Sequence, residues 1–205
     1  MKYCLLKNKA PFVRGGAEIL AESLKQSLEE YGHAAEIVEI PFVWQKPDDI
    51  LPNVLAHRLL QLGDCDRVIG MKFPAYAIPH SNKVFWLVHQ FRQMYDYWGT
   101  PYQPFPATPY NESIRNALIN ADTAYIQEAS RIYTISDNVS QRLKHWNSID
   151  SQVLYPPLPH DFVCEPRKFE NVIYMPGRLS HSKRQHLAIE SMRHVKENVT
   201  LVITG

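Results

Sequence analysis

The chain has 205 residues, 45% of them hydrophobic and 21% charged, the composition of a soluble globular protein of one to two domains. A formal net charge of +1 gives no broad nucleic-acid footprint, so no nucleic-acid partner is expected. Three widely spaced cysteines, Cys4, Cys65 and Cys164, form no zinc or disulfide framework and fit a reducing cytoplasm. The apolar run from Tyr3 to Leu6 is too short for a signal-peptide core, and the sequence contains no transmembrane run.

In chain order, KYCLL (2–6) reads as a buried strand and PFVRGG (11–16) as a loop. Apolar residues at 17, 20, 21, 24, 28 and 31 define one face of a helix, which Gly32 ends. AEIVEI (35–40) is a second strand, and Val54 to Leu62 is helical. RVIGM (67–71) and VFWLV (84–88) are short apolar strands. A long irregular segment, about 90 to 109, is rich in aromatics and proline; connections of this length are usually functional or mobile. A helix over about 110–127 follows, then the strand RIYTI (131–135) running into Ser136. That serine is placed to cap a helix bearing Val139, Leu143 and Trp146. QVLYPPLP (152–159) is a strand entering a stiff proline turn, with Tyr155 to Pro159 as an interdomain linker. Residues 171–205 read as a βαβ. The alternation predicts an α/β fold: a parallel sheet with helices on both faces over 1–158, then a second βαβ over 171–205.

Several short stretches bear on chemistry. Gly15-Gly16 sits between the first strand and the first helix, where free backbone N–H groups bind anions and missing side chains let a ligand approach. A flexible turn is the bland alternative. The fingerprint G-x-G-x-x-G is absent, which argues against a nicotinamide enzyme. In GRLSHSKRQ, Ser182 and Gln185 match a capping box and place a helix start at Lys183. A lysine in a first helical turn opposes the dipole unless an anion is near. With Arg178 at the end of the preceding strand, the pair suits a diphosphate, or else is two solvated charges. His89 ends its strand at the ligand edge of an open sheet, where a histidine is either structural or functional. Arg92, Tyr95, Asp96 and Trp98 offer aromatic faces and polar edges that suit a sugar ring, or the packing of a long loop. The D-x-D at Asp64 and Asp66 precedes its strand, which places it at the edge opposite such a site, and no metal is expected.

Taken together, these stretches resemble glycosyltransferase family 4, retaining enzymes of the GT-B fold. RGGAE through GH (Arg14 to His33), FWLVHQFR, YTISDNVSQRL, VLYPPL and GRLSHSK are similar to the family's landmarks, in the family's order over nearly the whole chain. The resemblance implies two Rossmann-like domains facing a cleft, the first on the acceptor side. It implies transfer of a sugar, with retention, from a nucleotide-diphosphate sugar to a hydroxyl of a carbohydrate or glycolipid acceptor, with no further cofactor. It makes Gly15 and Gly16 the loop that approaches the donor diphosphate, His89 the catalytic histidine near the donor sugar, and Arg178 and Lys183 the pair that holds the donor phosphates. The acceptor would meet residues 90–109, among them Arg92, Tyr95, Asp96 and Trp98. Two departures stand out: Gln90 where the family often has Asp, and Arg184 where it usually has Gly.

In the family the donor domain continues well beyond a first βαβ, so the sequence reads as a fragment or truncated product, inactive by itself. Its exposed sheet edge invites self-association. The resemblance also implies peripheral membrane contact, although the sequence shows no basic amphipathic helix for it. A non-catalytic domain that binds a sugar or phosphoryl ligand is the second reading of the same residues, and a plain interaction domain the third.

Overall fold

A computed structural model describes residues 1–158 and 170–205. It divides into two units, Met1–Asp161 and Phe162–Gly205. Pro159, the end of the expected linker, and Cys164 lie outside the described residues.

The first unit is a Rossmann-like α/β domain. Its strands are β1 (Lys2–Lys9), β2 (Ala34–Pro41), β3 (Arg67–Lys72), β4 (Lys83–His89), β5 (Arg131–Thr134) and β6 (Gln152–Val153). All pair in parallel, in the order β2-β1-β3-β4-β5-β6. The chain therefore steps outward from β1 to β2, then reverses and builds the other side from β3. In an open parallel sheet, the crevice outside the carboxyl ends of the strands at such a reversal is where ligands bind.

The period of a strand sorts its residues between two layers. Leu5, Ile69, Met71, Trp86 and Val88 face one side, where α1 (Gly16–Glu30) covers them with Leu20 and Ala21. On the other side Leu6 and Val68 meet Ala75 and Ile78. Phe85 and Leu87 there meet Ile50 and Val54 of α2 (Ile50–Arg58), Ile114 and Leu118 of α3 (Pro109–Gln127), and Val139 and Leu143 of α4 (Asp137–Asn147). Helices thus cover both faces, one on the first and three on the second. β3 and the turn at Tyr76 approach so closely that a Cβ on Gly70 would lie 2.8 Å from the Tyr76 Cβ. Only glycine fits there without a backbone shift.

Local chemistry sets the helix ends. Gly32, at φ +79°, stops α1. Ser136 Oγ accepts a hydrogen bond from the Val139 N–H at 3.3 Å and starts α4, as expected. The helix expected over 54–62 instead runs from Ile50 to Arg58. Asn53 Nδ2 donates to the Asp49 carbonyl at 2.7 Å and supports the earlier start. Arg58 is tied at the other end to Glu128 at 2.6 Å, and Leu59 and Leu60 lie exposed. The 90–109 segment is less open than its composition suggested: it buries Phe91, Met94, Tyr95 and Phe105 and closes the core above α3. β6 is a two-residue strand, shorter than expected. The backbone beyond it is still held, because the Leu154 carbonyl accepts from Trp86 Nε1 at 2.9 Å.

The second unit contains β7 (Val172–Pro176), α5 (Gln185–Ser191) and β8 (Thr200–Thr204). β7 and β8 pair in parallel from Val172–Thr200 to Pro176–Thr204. Among its described residues only Gln185 is buried, while Ile173, Tyr174, Leu179 and Ile189 stay exposed.

Candidate active site

His89 is the last residue of β4 and pairs with Lys72, the last of β3, beside the reversal in strand order. Its Nδ1 lies 2.6 Å from the Gln90 carbonyl oxygen. A carbonyl only accepts, so Nδ1 carries the hydrogen and Nε2 keeps a bare lone pair. Burial pushes the His89 pKa down. The bond to the Gln90 carbonyl opposes that, and the charges of Lys72, Arg142 and Arg92 add to the lowering. The ring is therefore neutral at pH 7, an acceptor for a ligand hydroxyl rather than a proton donor.

The glycine turn lies at the carboxyl end of β1, on the same edge of the sheet. A Cβ on Gly16 would meet nothing within 4 Å, so the start of α1 is open to a ligand. The Gly15 N–H, however, donates to Glu18 Oε2 at 3.0 Å. The other oxygen of Glu18 lies 3.7 Å from both Lys7 Nζ and Lys72 Nζ. The chain's own carboxylate thus takes part of the place where an anion would sit. Lys7 is only 2% exposed and also pairs with Glu39, which Lys9 meets at 2.5 Å. Together these charges make a compact group at the reversal point.

Neither Lys7 nor Lys72 was singled out from the sequence. The available signal was Lys7 itself, in phase with Leu5 on the buried side of an apolar strand. Arg142, on α4, was also missed; its place beside Asp96 and His89 follows only from tertiary structure.

The residues expected to meet an acceptor separate in the structure. Tyr95 is corrected: it is 1% exposed, inside the core, and its hydroxyl donates to Asp122 Oδ2 at 2.8 Å. Asp96 is held by Arg92 at 2.7 Å and by Arg142 at 3.0 Å. Burial works to raise the Asp96 pKa, but the two arginines prevail and hold it low. Arg92 stacks over Tyr97 at 4.3 Å, and half-buried Trp98 packs on the core with Arg115 5.6 Å from its ring centre. Only Arg92 keeps substantial exposure with its charge at the edge. The run FRQMYDYW has no period that separates core rings from surface rings.

Beneath His89 runs a buried polar chain. Gln90 Nε2 donates to Asn147 Oδ1 at 3.2 Å. Asn147 Nδ2 donates to Thr123 Oγ1 at 2.8 Å and to the Tyr95 hydroxyl at 3.4 Å. The chain ends on Asp122, which burial pushes up to about 7 against the hydrogen bond that the Tyr95 hydroxyl donates to it. Gln90, where the resembled family often has an acid, is thus built into the core.

In the second unit Arg178 and Lys183 are both exposed. The capping box expected from Ser182 and Gln185 does not form. His181–Lys183 is a single 3-10 turn, Arg184 adopts φ +57°, and α5 begins only at Gln185. Gln185 Nε2 donates instead to the Arg178 carbonyl at 3.0 Å, and Ser182 Oγ meets Ser180 Oγ at 3.3 Å. Lys183 therefore precedes the helix. The Gln185 bond still fixes the backbone that carries Arg178.

Asp66 lies at the amino edge of the sheet, where its carboxylate accepts from the Lys2 N–H at 2.7 Å. Among the described residues no group of three His, Cys, Asp or Glu is placed to hold a metal, and no helix is long and apolar enough to cross a membrane. In comparisons with known proteins the chain matches no family model and no curated protein.

Proposed function

We propose that the chain carries the acceptor-side domain, and the opening of the donor domain, of a retaining glycosyltransferase that uses a nucleotide-diphosphate sugar. The observation that supports this reading is His89. It is a neutral imidazole with a bare Nε2 at the carboxyl edge of the parallel sheet, the edge that also carries the open Gly16 turn, and it feels the charges of Lys72, Arg142 and Arg92. Such a group accepts a hydrogen bond from a sugar hydroxyl without surrendering a proton, while nearby cations favour an anionic neighbour. As the bond from the sugar to the diphosphate breaks, negative charge gathers on the leaving group. Arg178 and Lys183 are the cations proposed to stabilise it. No side chain is assigned as nucleophile.

Glu18 favours a second reading. Its carboxylate already takes the Gly15 N–H, as expected of a domain that binds a neutral sugar without a diphosphate or a reaction. Turnover separates the two. In a form extended by the rest of a donor domain, Arg178→Ala and Lys183→Ala should each lower sugar transfer by roughly 10- to 100-fold, the worth of one well-made charge-assisted contact, and His89→Ala by roughly 2- to 10-fold, the worth of a neutral one. Unchanged transfer in all three variants would overturn the enzymatic reading. Calorimetry of the 205-residue chain with nucleoside diphosphates should show weak, salt-sensitive binding and no transfer.

A further inference from the structure

We infer that the groove between the end of β2 and the turn at Pro104-Phe105 is a binding subsite for an uncharged ring, and that its occupant is a sugar ring of the acceptor. The groove has a volume of about 370 Å³ and is lined by Phe42, Val43, Trp44, Gln45, Pro104 and Phe105. As a subsite of the reaction it rests on the glycosyltransferase reading. As a binding site it stands on its own geometry.

Its place in the fold comes first. Phe42 follows Pro41, the last residue of β2, so the groove opens at the same carboxyl edge as His89. Phe91, two residues beyond His89, joins the two regions: its ring centre lies 5.3 Å from Phe42 and 5.5 Å from Trp44.

The lining defines the chemistry. Phe91 and Phe105 are buried beneath the groove, whereas Trp44 is 36% exposed and Val43 52% exposed. Trp44 stands nearly upright on that floor, at 73° to Phe91 and 88° to Phe105. An upright indole is a wall against which a flat ring can lie. No lining side chain is charged, and the Gln45 amide and the Trp44 indole N–H are its polar side-chain groups. The nearby Asp48 is engaged by the Tyr110 hydroxyl, and Asp49 accepts from the Lys46 N–H at 2.9 Å. The lining itself offers a phosphate or carboxylate no cationic side chain.

A volume near the lower end of small-molecule sites, about 300–1,000 Å³, suits a sugar unit better than a whole nucleotide sugar. An aromatic wall with an amide and an indole N–H beside it matches a pyranose: one face of C–H groups and an edge of hydroxyls. An alkyl chain would leave the amide unused. The aromatic recognition expected of Tyr95 and Trp98 therefore belongs to Trp44 and its neighbours.

The test uses the 205-residue chain and nitrogen-15 NMR, read at the Trp44 indole N–H. The probes are methyl β-glucopyranoside, methyl α-mannopyranoside, methyl β-galactopyranoside, glucose 1-phosphate and 1-hexanol. At least one neutral glycoside should shift the Trp44 signal in a saturable way, with glucose 1-phosphate weaker. Trp44→Ala and Gln45→Ala should each weaken that binding by about tenfold or more. For Trp44→Ala, binding is followed by saturation transfer to the glycoside. Unmoved indole signals of Trp86, Trp98 and Trp146 will show that the fold is kept, and Gln45 is exposed enough to be replaced safely. Shifts with 1-hexanol alone, or no response of Trp44 to any glycoside, would overturn the subsite. Transfer activity plays no part in this readout. Glycoside binding without transfer in the extended form would leave the subsite standing and remove the enzyme; transfer with a silent Trp44 would do the reverse.

Discussion

Asp122→Asn should remove a pH dependence of stability that the wild-type fold carries near neutrality. Asp122 is 0% exposed, at the end of the Gln90–Asn147–Tyr95 chain. Burial raises its pKa from 3.8 to about 7, against the opposing hydrogen bond of Tyr95. A carboxyl whose folded pKa lies above its unfolded value binds its proton more tightly when folded. Its contribution is therefore fully present below pH about 4 and is lost as pH rises through about 7. The slope between those limits is about 1.4 kcal/mol per pH unit, so the whole loss is on the order of 4 kcal/mol. Asparagine is uncharged at every pH and still offers the Tyr95 hydroxyl an acceptor. Urea unfolding from pH 4.5 to 8 measures the effect, with the variant subtracting all other titrations. Wild type should lose stability relative to Asp122→Asn up to about pH 7, after which the difference should level off. Parallel curves across that range would refute the reasoning.

Other expectations follow from single contacts. The His89 ring should titrate below the ordinary histidine range and remain neutral at pH 7, read from its C2 proton; Lys72→Ala should raise that pKa by removing one nearby cation. A histidine depressed in the folded state costs stability as pH falls through its folded pKa, the opposite sign to Asp122. Gly70→Ala should destabilise by about 1–3 kcal/mol in thermal or urea unfolding, because its Cβ would meet the Tyr76 Cβ at 2.8 Å. Ser136→Ala should cost about 1 kcal/mol through loss of the α4 cap, and Ser136→Asp should restore most of it. Cys4, whose thiol burial pushes up to about 12 with Cys65 adding to the effect, should resist alkylation at pH 8 until the chain unfolds.

The parts of the fold legible in the sequence are those set by local chemistry. Gly32 stops α1, Ser136 caps α4, and the apolar runs around Leu5, Ile69 and Leu87 are strands, because each depends on a few neighbouring residues. His89 could be placed at the ligand edge for the same reason: it ends an apolar run in a parallel sheet. Readings failed where distant contacts decide. Leu59 and Leu60 continued an apparent helical face but lie in solvent beyond Arg58, which Glu128 anchors from across the chain. Tyr95 resembled a surface ring but donates to Asp122 in the core. Ser182 and Gln185 had capping-box spacing, yet Gln185 turns back to the Arg178 carbonyl. The charges of Lys7, Lys72 and Arg142 reach one edge only through strand register and helix packing, which no single stretch encodes.

Donor binding at the carboxyl edge, resolved residue by residue, tests the glycosyltransferase reading most directly. Nitrogen-15 NMR of the 205-residue chain, titrated with a panel of nucleotide-diphosphate sugars, reports on each backbone amide. The expected result is saturable shifts at Gly15, Gly16, Lys72 and His89 in the first unit and at Arg178 and Lys183 in the second, stronger with diphosphate sugars than with nucleosides alone. Amides of Gly16 and His89 that stay unmoved by every donor would contradict it.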